Sequence, residues 1–115
     1  MATQVSAVEC RSTERVTLQC AIIVASGVQT GEGRVLNVSR NGCLVEAPIL
    51  IKAGDYIQMR LFLPERDLSV CVAGAVVQWA MGFRFGVEFM EVEETHRTRL
   101  KQIITLGNDP WKLAL

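Results

Sequence analysis

The chain has one histidine, three prolines, no Cys-x-x-Cys pair among its four cysteines and no formal net charge. Each shortage closes off a class of function. With His96 as the only imidazole and Cys10, Cys20, Cys43 and Cys71 scattered, a zinc site lacks its usual ligand spacing, so no metal is expected. Cys20, Cys43 and Cys71 read instead as small hydrophobes inside strands. Twelve basic and twelve acidic side chains cancel, and a single Tyr with four Phe leaves no basic-aromatic stripe, so a nucleic-acid partner is not expected. The longest apolar runs, residues 21–25 and 70–77, fall far short of the roughly 20 residues that span a bilayer, which argues against membrane insertion. No basic segment followed by an apolar stretch opens the chain, and the reading is cytoplasmic. Nothing pairs His96 with a serine or cysteine nucleophile, and no Gly-Lys-Ser/Thr follows Gly27, Gly31 or Gly33, so no catalytic residue is assigned.

What the chain does have is period-two alternation. At 115 residues it is long enough for one hydrophobic core. Val16, Leu18, Cys20, Ile22 and Val24 alternate with more polar or smaller residues and predict a first strand. Ser26-Gly27 and Gly31-Glu32-Gly33 read as the limits of a turn, after which residues 34–39 alternate with Leu36 and Val38 on one face. Further strands are expected over residues 43–47, 57–63 and 70–79. A sixth carries Phe83, Phe85, Val87 and Phe89 inward against Arg84, Gly86 and Glu88 outward. Six short strands joined by Gly-containing turns predict an all-β, closed antiparallel barrel, since closure removes aggregating edges. From Val92 the period lengthens: His96, Leu100, Ile103 and Ile104 share a helical face, which predicts a C-terminal α-helix stopped at Gly107. The expected organisation is a flexible N-terminus over 1–8, the barrel with its helix over 9–106, and a tail over 107–115.

Two segments remain that barrel-building does not use. Arg11-Ser12-Thr13-Glu14-Arg15 places two arginines four apart just ahead of the first strand. Asn37-Val38-Ser39-Arg40-Asn41-Gly42 runs from a strand into a turn; alternation puts Asn37 and Ser39 on the barrel exterior, where they can share one ligand. Gly42 permits positive φ or close backbone approach.

Together these segments resemble the PilZ domain family, whose signature is Arg-x-x-x-Arg followed by Asp/Asn-x-Ser-x-x-Gly. Both halves are complete here, and the likeness extends through Val77 to Trp79, the Gly86-Val87-x-Phe89 strand and the helix. The resemblance implies a six-stranded barrel with a C-terminal helix that binds the second messenger cyclic di-GMP without chemistry and needs no cofactor. Arg11, Arg15, Asn37, Ser39 and Gly42 are the implied ligand-binding residues, with Arg40 as a further anion contact and a protein partner receiving the output. Cys10 stands where many members carry an arginine, which implies one ligand per chain. The competing reading is a PilZ-like adaptor that binds protein without nucleotide.

Overall fold

A computed structural model describes residues 20–63 and 68–108. The strands are β1 (Cys20–Ser26), β2 (Gln29–Val38), β3 (Gly42–Glu46), β4 (Tyr56–Leu63), β5 (Leu68–Met81) and β6 (Arg84–Glu91), followed by the helix α1 (Glu94–Asn108). All pairings are antiparallel and the sheet closes in the order β1-β2-β3-β6-β5-β4, the expected barrel. Alternation fills it. Cys20, Ile22 and Val24 from β1, Ile57, Met59 and Leu61 from β4, and Phe85, Val87 and Phe89 from β6 are all buried. Leu100, Ile103 and Ile104 of α1 join this core, as the helical period predicted.

Two expectations about β2 are corrected. Gly31 and Gly33 do not belong to a turn: Ser26 already pairs with Gln29, so the reversal is only Gly27-Val28, with Gly27 at φ 61°. The two glycines sit within β2 because neighbouring chain lies against them; a Cβ on Gly33 would overlap the carbonyl of Glu46 and the side chain of Ala47. Leu36, expected in the core, is only half-buried, and Val35 takes its place. The cause is a register shift between Val35 and Asn37, which makes Leu36 an extra residue opposite the Val45–Leu44 step of β3. A bulge of this kind resets the alternation by one, so Val35 and Val38 both point inward. At the other end of the chain, α1 continues through Gly107 to Asn108 instead of stopping at Gly107.

β5 is the longest strand, and it is shared. β4 pairs with it over Leu68 to Val76, but β6 joins only from Gly74 onward. Along the early part of β5, α1 supplies what a strand would have supplied. The Cys71 N–H donates to His96 Nδ1 at 3.0 Å, and Arg99 Nη1 donates to the Ser69 carbonyl at 3.3 Å. His96 is thus a structural acceptor through Nδ1. Replacing His96 by alanine strands a partly buried N–H at a cost of about 1–3 kcal/mol. Thermal melting of His96→Ala followed by circular dichroism should show a midpoint several degrees lower; an unchanged midpoint would mean that water satisfies Cys71 equally well.

Candidate functional site

The second motif lies where β2 ends and β3 begins. Asn37, directly after the bulge, pairs with Leu44 of β3, Leu44 pairs with Gly86 of β6, and Gly86 pairs with Trp79 of β5. These four residues form a row across four strands on the outside of the barrel. They line a hollow of about 340 Å³ together with Gln78 and the backbone side of Cys43 and Val87. Gly86 has no side chain to occupy its floor, and the indole of Trp79 lies across it: a Cβ on Gly86 would come within 2.5 Å of Trp79 Nε1. Trp79 as a residue remains 44% exposed, so one flank of the hollow is bordered by a solvent-accessible aromatic residue. A second register shift, between Val77 and Trp79, turns Gln78 outward, where its Nε2 donates to Glu88 Oε1 at 3.1 Å.

Ser39 behaves differently from the expectation that it shares the exterior with Asn37. It is fully buried. β2 ends at Val38, so Ser39 no longer follows the strand alternation and instead folds into the turn. Its N–H and its hydroxyl both donate to the Gly42 carbonyl, at 2.8 and 3.2 Å, and its Oγ accepts from the Asn41 N–H at 3.3 Å. The turn is pinned to the barrel by the Phe89 N–H, which donates to the Asn41 carbonyl at 2.8 Å. Ser39 therefore shapes the corner, while Asn37 lines the hollow and Arg40 stands exposed at the tip.

Gly42 is buried in β3 and is not among the glycines with positive φ, which are Gly27, Gly54 and Gly82. Of the two reasons considered for a glycine there, close approach is the one observed: a Cβ would run into the Val87 carbonyl. Arg11 and Arg15 lie outside the described residues. β1, to which they lead, starts at Cys20 opposite Val35, two residues from Asn37 on the adjacent strand. Four residues lie between Arg15 and Cys20, so five chain steps span at most about 18 Å and the hollow is within the reach of the chain.

One row further along β3, Glu46 is clasped from both sides. Arg34 approaches Oε1 through Nη2 at 2.9 Å, and Arg84 Nε donates to Oε2 at 3.1 Å. Hydrogen bonds from Arg84 and then Arg34 hold the Glu46 carboxyl below its ordinary value of 4.5. A carboxylate with a depressed value contributes stability that is fully present above the unfolded value and is lost as pH falls through the folded one. In an NMR pH titration Glu46 should therefore show a midpoint below 4.5; a midpoint at or above it would mean the clasp does not persist in solution.

Trp79, Gly86, Leu44 and Gln78 were not among the site residues read from the sequence. They come from three strands, and only the pairing register brings them together. No cluster of metal-binding side chains occurs among the described residues, and none of their helices is long and apolar enough to cross a membrane.

The fold is similar to solved structures. The Bacillus subtilis inhibitor of motility MotI/DgrA matches with a TM-score of 0.70 at 16% identity, over 83% of this chain and 49% of that one. This chain thus spans about half of the Bacillus protein. The PilZ domain of CeSA from a cellulose-synthesizing bacterium matches with a TM-score of 0.64 at 14% identity, over 80% of this chain and 95% of that one. At such identities the likeness is one of fold. No curated protein sequence matches the chain. Among protein families, residues 9–106 match the PilZ domain. With a six-stranded barrel, a helix over the core and a match across most of its length, the chain belongs to the PilZ domain family.

Proposed function

We propose that this protein is a cyclic di-GMP receptor that binds one nucleotide in the hollow beside Asn37 and passes the event to a protein partner without catalysing a reaction. The observation that carries the proposal is the outer row of Asn37, Leu44, Gly86 and Trp79 next to the start of β1. A guanine needs a flat face to lie against and a hydrogen-bonding edge. Trp79 offers the first and the Asn37 amide the second. The phosphates need cations, which Arg11 and Arg15 would bring from the segment leading into β1, with Arg40 at the corner as a further contact. Ser39 and Gly42 would serve the ligand indirectly, by fixing the corner on which Asn37 and Arg40 are mounted.

Micromolar affinity needs about 8 kcal/mol. A few charge-assisted hydrogen bonds at about 1.5–3 kcal/mol each, together with stacking, can supply this after the entropic costs. Calorimetric titration should give a Kd in the micromolar range or below, about one ligand per chain, and far weaker binding of GTP. Stacking on Trp79 should also change its fluorescence. Heats equal to buffer dilution at high micromolar ligand would reject the receptor reading and favour the nucleotide-free adaptor.

A further inference from the structure

The turn that follows Asn37 has a second side. There Arg40 and Asn41 face α1 across a separate hollow of about 250 Å³, completed by Arg97, Leu100 and Lys101. Three of the five lining residues are cationic and none is acidic. Arg97 is half-buried, and among the described residues neither Arg97 nor Lys101 enters an ion pair or a side-chain hydrogen bond. Leu100, 1% exposed, closes the hollow from beneath. In a chain of zero net charge this is a local concentration of positive charge.

We propose that this hollow docks an acidic segment of a protein partner, one that carries carboxylates on alternate residues. Arg97 and Lys101 are one helical turn apart, about 6 Å along the axis. Alternate side chains of an extended strand repeat every ~6.8 Å on one side, so two carboxylates spaced i, i+2 can meet both cations together. A bare phosphate is better served by converging backbone N–H groups, and here the Arg97 N–H is already bonded to the Glu93 carbonyl at 2.9 Å. Glu93 and Glu94, at the start of the helix, lie outside the hollow and would repel an acidic segment that docked out of register. Of this lining only Arg40 is shared with the nucleotide reading, and the pairing of Arg97 and Lys101 with carboxylates does not depend on it.

The test uses a fluorescein-labelled ten-residue peptide of alternating glutamate and leucine, followed by anisotropy at low salt with the full chain and no nucleotide. Saturable binding to the wild type is expected, at least tenfold weaker for the Arg97→Glu/Lys101→Glu protein, and equally lost when glutamine replaces glutamate in the peptide. Arg97→Gln/Lys101→Gln, which introduces no new charge, should weaken binding in the same direction and guards against misfolding of the reversed variant. Failure of the wild type to bind, equal affinity of the variants, or equal affinity for the glutamine peptide would overturn the proposal. Cyclic di-GMP titration of the glutamine variant is expected to match the wild type. A loss there would assign both cations to the nucleotide and would also overturn the proposal, whereas a wild type that ignores cyclic di-GMP yet binds the peptide would leave it standing.

Discussion

Arg15→Ala is expected to weaken cyclic di-GMP binding by at least about a hundredfold while leaving the thermal midpoint of the ligand-free protein almost unchanged. Its guanidinium is assigned two charge-assisted bonds at about 1.5–3 kcal/mol each, and tenfold in affinity corresponds to about 1.4 kcal/mol. The sequence sets Arg15 among polar residues ahead of the first strand, and substitutions away from a core usually stay within about 0.5 kcal/mol. Calorimetry and a melting curve on the same preparation separate the two effects. Intact affinity would remove the arginine pair from the site, and a midpoint many degrees lower would make Arg15 a structural residue.

Gly42→Ala should show the opposite profile. The methyl group has nowhere to go, because the obstacle is the Val87 carbonyl and not the movable end of a side chain. Overpacking typically costs about 1–3 kcal/mol, and a backbone obstacle puts this substitution at the upper end. For a domain of this size that is a fall in melting midpoint of about 10 °C or more. Protein that remains folded in the cold should still bind nucleotide, since Gly42 acts by letting β3 approach β6. A variant as stable as the wild type would show that the two strands can separate freely at this point. Gly42, which closes the second motif, is thus expected to fail through folding where Arg15, in the first, fails through recognition.

These contrasts mark what could and could not be read from residue order. β6 was legible because Phe85, Val87 and Phe89 keep a strict period of two and are all buried, but Phe83, expected inward with them, lies in the turn before β6 and is exposed. The helical face of Leu100, Ile103 and Ile104 was legible for the same reason at its own period. β2 was misread at both ends. Its glycines signal a turn to any local rule, whereas here they admit Ala47 and Ile49 from the segment that follows the adjacent strand β3. Its bulge at Leu36 breaks the phase on which the in-and-out assignment depended. Asn37 still emerged on the correct side, because the bulge precedes it. Ser39 did not, because the strand had ended and turn hydrogen bonds took over. The hollow itself was hidden: Trp79 and Gly86 become neighbours only through the β5–β6 register, which a second bulge at Gln78 displaces by one.

The sharing of β5 has a wider implication for how this fold can be cut, joined or lost. Over its first residues β5 has β4 on one side and, on the other, the side chains of His96 and Arg99. A chain that stopped before α1 would expose the Cys71 N–H and the Ser69 carbonyl along an open strand, and would also uncover the core beneath Leu100 and Ile103. Unpaired edges of this kind recruit strands from other molecules. Among the described residues, the helix is therefore what covers the open side of the longest strand.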